Sequence, residues 1–139
     1  VVAHVSTTLA DQGQGIDFHE INITPEDTAL VLVYNEEGGL LSGLVQELNV
    51  STGQALFSWD SKDHVPTDDC YIARGEDGAA WDYIHFNSID KDAEGNYLVS
   101  SRHCSSLFYI AANGTVLWTL GGKYSNFTGS SFSWQHDAR

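Results

Sequence analysis

No methionine occurs anywhere in this chain of 139 residues, not even at its first position. With the abrupt beginning "VVAHVSTTL" and the abrupt end "WQHDAR", that reads as a segment of a longer mature protein. Basic residues are scarce: 6 Lys and Arg stand against 19 Asp and Glu, a formal charge of −13. So acidic a surface repels phosphate backbones and anionic lipid, which argues against nucleic acid or a membrane surface as partner. No window approaches the roughly 18 consecutive apolar residues of a spanning helix, and no charged start leads into the apolar run of a secretory leader. Helical periodicity is missing too, since no stretch of about ten residues places apolar side chains on one helical face. Helices are therefore incidental.

What is present is the material of strands. The runs "TALVLVY" (28–34), "GLVQELNV" (43–50), "QALFSW" (54–59), "NYLVSS" (96–101), "SLFYIA" (106–111) and "TVLWTL" (115–120) are rich in β-branched and aromatic residues. Between them lie "PED", "NEEGG", "STG", "AEGN" and "ANG", where Gly or Asn supplies turn conformations. The chain is all-β, and 42% apolar content lets 139 residues bury a modest core. "DKDAEGN" and "TPEDT" lack the ligand spacing of a calcium loop and read as polar turns.

The strands recur in order. "HEINITPEDTALVLVY…GLVQELNVSTGQALFSWDS" lies over "HFNSIDKDAEGNYLVSS…SLFYIAANGTVLWTLGG": a histidine, an Ile, a polar turn, a Leu-Val strand, a second strand, a Gly turn, a closing strand. His19, His85 and His136 open the units, 66 and then 51 residues apart. Periods near 40 to 50 residues with three or four strands each describe β-propeller blades, with extra length in loops such as "SKDHVPTDDCYIARGEDGA". A β-sandwich of similar strand count does not explain why each unit opens on the same residue type. Residues 1–139 are thus read as part of a single β-propeller domain of two to three blades, with the three histidines lining its axis. An open set of blades leaves exposed edges, so the remaining blades are its expected partners.

Four N-x-[ST] sequons, at Asn22, Asn49, Asn113 and Asn126, exceed the one or so expected by chance and imply a secreted protein carrying N-linked glycans. In an oxidising compartment Cys70 and Cys104 can pair across a loop of about 35 residues, worth roughly 3 to 4 kcal/mol in the chain-entropy model. Two buried thiols, or a bond to another part of the protein, are the alternatives.

The segments "DFHEINIT", "VQELNVSTGQALFSWDSKDHV", "WDYIHFNSIDKDAEGNYLVSSRH", "LWTLGGKYSNF" and "WQHDAR" together resemble the arylsulfotransferase family, in particular its secreted, fungal-type branch. The resemblance implies a six-bladed propeller with an axial active site. It implies transfer of a sulfuryl group from an aryl sulfate to a phenol through a sulfated histidine, without the phosphoadenylyl sulfate cofactor. On that resemblance His136 is the nucleophile, while His19, His85, Asn87 and Arg102 bind and polarise the sulfuryl oxygens.

The chemistry suits the residue types. A sulfuryl group in flight carries negative charge on three oxygens, which calls for aimed donors and one neutral nucleophile. Arg102 offers a permanent planar fork and Asn87 a donor that does not titrate. Trp134, two residues before His136, can line an aryl pocket, while Trp59, Trp81 and Trp118 are expected in blade packing. Three histidines also suit a catalytic zinc, but the fixed charge of Arg102 opposes a cation. No metal is therefore assigned. His4, His64 and His103 are expected in structural roles. Lys62, Lys91 and Lys123 are expected to face water; Arg74 and Arg139 are open. The rival reading is a non-catalytic secreted propeller that binds glycans, phenolics or protein partners through the same channel.

Overall fold

The turn chemistry closes hairpins where expected. Glu37 pairs with Leu40 across Gly38 and Gly39, both at positive φ (61° and 78°), the conformation a two-residue hairpin loop needs. At the next turn the Asn49 side chain accepts from the backbone N–H of Ser51 and Thr52 at 3.0 and 2.9 Å. Further along, Asp92 accepts from Asn96 N–H at 2.8 Å and Asn113 from Thr115 N–H at 3.0 Å. These short polar side chains cap the backbone locally, so each turn is specified without distant contacts.

The computed structural model describes residues 5–8 and 13–139; His4 lies outside the described residues. Strands β1 (Ile16–Ile23), β2 (Thr28–Glu37), β3 (Leu40–Asn49) and β4 (Ala55–Asp60) form one antiparallel meander. A loop with short 3-10 turns at Ser61–Asp63 and Thr67–Asp69 leads to β5 (Trp81–Asp82), which adds in parallel beside Leu40 and Leu41 of β3. Strands β6 (Phe86–Lys91), β7 (Tyr97–Ser101), β8 (Ser106–Ile110) and β9 (Val116–Gly121) form the second meander, in the same order. The chain is all-β, and its two sheets, one a four-stranded meander with β5 added and the other four-stranded, are successive propeller blades.

The blades pack face to face. Leu30, Leu32, Val45 and Trp59 of the first meet Phe86, Ile89, Val99, Phe108 and Ile110 of the second in one buried cluster. On the opposite face of the first sheet Ala29, Val31 and Leu48 pack with Val5 and Ile16. Burial on both faces is why β2 reads as a continuous apolar run instead of alternating. Gly43 is required by this packing, since any Cβ there would enter the Phe86 ring.

A charged group also crosses the interface. Glu47 of β3 is 3% exposed at its side chain and accepts from Lys91 Nζ (2.8 and 2.9 Å), Tyr97 Oη (2.5 Å) and Thr28 Oγ1 (2.6 Å). Lys91 therefore departs from the water-facing expectation: it ends β6 on the inner side and neutralises a buried carboxylate. Lys123 departs in part, its ammonium being tied to the carbonyls of Asp68 and Cys70 at 2.7 and 2.8 Å. Lys62 is exposed and pairs with Glu37 at 2.5 Å.

Cys70 and Cys104 form a disulfide, and both are buried. The bond ties the 61–80 loop to the β7–β8 turn, where Tyr71 N–H also donates to the His103 carbonyl at 2.9 Å. Replacing both cysteines by alanine is expected to lower stability by roughly 3 to 4 kcal/mol. Urea unfolding checks this, and a midpoint equal to that of the parent would refute it.

Candidate functional site

The strands that open the two blades are irregular at their histidines. In β1 the pairing with β2 jumps between Ile16 and Ile21, so Asp17 to Glu20 bulge out of register. In β6 it jumps between Phe86 and Ser88, and His85 just before takes a left-handed backbone (φ 47°). Bulges turn side chains out of the pleat, and a non-glycine residue at positive φ persists only where its surroundings hold it. This is the structural form of the interruption in "YIHFN".

The same device holds both histidines. Asp17 Oδ1 accepts from the His19 backbone N–H at 3.0 Å and meets His19 Nδ1 at 2.5 Å. Asp82 accepts from the His85 backbone N–H at 2.9 Å and meets His85 Nδ1 at 2.5 Å. Because a carboxylate only accepts, Nδ1 carries the proton in each ring and Nε2 is left for a ligand. Tyr34 Oη stands 3.1 Å from His85 Nδ1. Burial, with the carboxylates of Asp82 and Asp17, raises the Tyr34 pKa, so its phenol stays a neutral donor.

The rings form a continuous row. Centroids lie 5.5 Å apart for His136 and His19, 5.1 Å for His19 and His85, and 4.8 Å for His85 and His103. The row continues to Trp134, 5.8 Å from His103. Trp134 and His136 are two residues apart, a span of about 7 Å at full extension. The row's two ends are thus bridged by one short segment, and the rings must curve around a common space. Arg102 stands at the Trp134 end: its guanidinium lies 4.8 Å over the indole and its Nη1 3.4 Å from His103 Nε2. Among the described residues Arg102 makes no ion pair, whereas Arg139 pairs with Glu20 and Asp137 at 2.8 Å each.

Asn87 is placed differently from expectation. It is 1% exposed, its Nδ2 donates to the Gln135 carbonyl at 3.0 Å, and its Oδ1 accepts from Asp137 N–H at 3.3 Å. Its amide grips the backbone on both sides of His136. Ser88 binds Ala138 N–H at 3.0 Å, and Gln135 Nε2 donates to the carbonyls of Ser101 and Ser106 at 2.9 and 3.0 Å. Segment 134–139 forms no strand; these side chains and the Glu20–Arg139 pair hold it beside β6. His136 itself is exposed.

His103, expected in a structural role, joins the row of rings, and Asp17 and Asp82, which no motif marks, hold two of its members. A signal for the acids was present: His19 and His85 each follow an aspartate by two or three residues, although His136 does not. His103 lies outside the repeat and carried none. Asp82, His85 and His103 offer ligand atoms within 4.8 Å of one another, a possible metal cluster. The geometry favours hydrogen bonding instead, because His103 Nδ1 is spent on the Asp82 carbonyl at 2.7 Å and a guanidinium sits beside its Nε2. His64 stacks on Trp59 at 4.6 Å, away from the row. Of the sequons, Asn113 and Asn126 are exposed and Asn22 and Asn49 half-buried.

Two blades that bring aspartate-held histidines, Trp134 and Arg102 together define a propeller segment with one polar site. The chain belongs to the arylsulfotransferase (ASST) family, whose model it matches over residues 4–139. A crystal structure of a Bacteroides caccae protein of unknown function has a similar fold, with a TM-score of 0.50 and 23% identity over 81% of this chain. The chain spans 33% of the length of that protein. No curated protein matches it.

Proposed function

We propose that this chain supplies two adjoining blades of a six-bladed, secreted propeller sulfotransferase of the fungal-type branch. It would move a sulfuryl group from an aryl sulfate to a phenol through N-sulfated His136, independently of phosphoadenylyl sulfate. The observation that carries this reading is the curved row of four imidazoles ending on an arginine that has no carboxylate partner among the described residues.

In an environment of formal charge −13, a guanidinium with no ion pair among the described residues marks the place where an anion is favoured. Arg102 would hold the sulfuryl oxygens, joined by Nε2 of His19 and His85 when both nitrogens of those rings carry protons, since a lone-pair nitrogen cannot donate. The carboxylates of Asp17 and Asp82 fix the tautomer and aim of those rings. Asn87, Gln135 and Glu20 hold the backbone that carries His136, so its imidazole reaches sulfur without first ordering a loop. The donor's aryl ring would lie against Trp134, beside a cleft of about 310 Å³ lined by Tyr71, Phe132 and Ser133. A larger cleft of about 530 Å³ lies at the opposite ends of β1 and β6, where Glu26, Asp90, Asp92 and Glu94 disfavour a sulfate ester.

Incubating the full-length protein with a chromogenic aryl sulfate is expected to release the phenol and add one sulfuryl group, mapped to His136 by peptide mass analysis. If the chromophore stays bound to sulfate and no adduct forms, the enzyme reading fails and the binding-propeller alternative stands. The exposed sequons and the disulfide support secretion with N-linked glycans, to be read as a mass loss on treatment with an N-glycosidase.

A further inference from the structure

His103 stands outside the repeat, and its contacts decide where its proton sits. Its Nδ1 lies 2.7 Å from the Asp82 carbonyl oxygen, which only accepts, so Nδ1 carries the proton and Nε2 a lone pair. That lone pair lies 3.4 Å from Arg102 Nη1, and the ring meets the edge of Trp134. It is therefore next to the cation placed for a sulfuryl oxygen and next to the aromatic surface placed for a phenol.

Three charged or titratable groups face the ring: Arg102, His85 and Asp82. His19 and His85 each have a carboxylate oxygen on Nδ1 at 2.5 Å, whereas the nearest carboxylate oxygen to His103 Nδ1 is 3.9 Å away. Burial works first against a second proton on His103. His85 and Arg102 add to that, and Asp82 only partly offsets them, so its pKa lies below that of an ordinary histidine. The ring is consequently a neutral base at physiological pH, held rigidly by a backbone carbonyl.

We propose that His103 Nε2 is the proton acceptor for the phenolic hydroxyl in the transfer from His136, a role that rests on the sulfohistidine reading above. In that half-reaction the phenolic proton moves to Nε2. The phenolate oxygen bonds to sulfur, and the S–N bond to His136 breaks with its electron pair returning to nitrogen. In the next donor half-reaction the His103 imidazolium gives the proton to the departing aryl oxide, while its O–S bond breaks and the N–S bond forms. Over the cycle the proton taken from the acceptor appears on the product phenol, and no other reagent is required.

The test separates the half-reactions in the full-length protein. In His103→Asn the amide still donates to the Asp82 carbonyl, and the adduct on His136 is expected to form from a donor whose acidic phenol leaves as the aryl oxide without a proton. Transfer from that adduct to an un-ionised phenol is expected to slow by about 10²-fold or more, the usual worth of a positioned base. An acceptor already ionised at the assay pH should recover the rate to within about tenfold of the parent protein. Equal slowing with both acceptors would assign His103 a structural role and overturn the proposal. Should the variant not fold, the parent protein decides: its acceptor step with un-ionised phenols must fall as pH drops below the ordinary histidine range, and a flat profile there overturns the proposal. An absence of any adduct on the parent protein is a different failure, that of the sulfohistidine reading.

Discussion

Exchange of His136 for alanine is expected to abolish formation of the sulfuryl adduct and to cut donor turnover by at least about 10³-fold, some 4 kcal/mol of lost transition-state stabilisation. The expectation rests on position. His136 is exposed and its backbone is gripped from both sides by Asn87, while its ring meets the row at His19. His19, His85 and His103 have Nδ1 committed to Asp17, Asp82 and the Asp82 carbonyl, so none is free to swing into its place. Steady-state kinetics with a chromogenic aryl sulfate, with intact-mass measurement of the protein, give the answer. Turnover within tenfold of the parent protein would mean that His136 is not the nucleophile.

Glu47→Ala is expected to cost about 3 to 5 kcal/mol of folding stability, the range for removing one partner of a buried, hydrogen-bonded ion pair. The substitution leaves Lys91 without its counter-charge at the blade interface and strips the Tyr97 and Thr28 hydroxyls of their acceptor. Burial by itself would raise the pKa of Glu47; the hydrogen bonds from Lys91, Thr28 and Tyr97 together outweigh it and hold the carboxyl below its ordinary value of 4.5. A carboxyl with a depressed folded-state pKa contributes stability that is present above its unfolded value and is lost as pH falls through the folded one. The parent protein should therefore weaken as pH falls below about 4.5, and Glu47→Ala should lose part of that dependence. Urea midpoints measured across the acid range test both points, and a loss below about 1 kcal/mol at neutral pH would show the pair to be dispensable.

Much of the fold is written locally. Strands β2, β3, β4, β7, β8 and β9 fall within about three residues of the runs that β-branched and aromatic residues mark out, because their hairpin turns carry their own Gly, Asn and Asp. β1 and β6 have weak strand patterns and emerge from the repeat, which also brought out His19, His85 and His136. The local signal fails at β5, two residues that add to β3 only because the 61–80 loop brings them there. It fails at Lys91, where a polar residue before a turn looks solvated until Glu47 arrives from the other blade. Asn87 was legible as important, but its partners sit near Gln135 and Asp137, 48 and 50 residues along the chain.

Backbone propensity, turn chemistry and the histidine repeat are properties of neighbouring residues, so the all-β class, the strand order and three of the ring histidines could be read from the chain alone. The recruitment of His103, the use of Asn87 as a clamp and the pairing of Glu47 with Lys91 depend on groups that meet only when the two sheets pack. Burial and hydrogen-bond geometry set the protonation and aim of such groups, and both come into being with the tertiary structure.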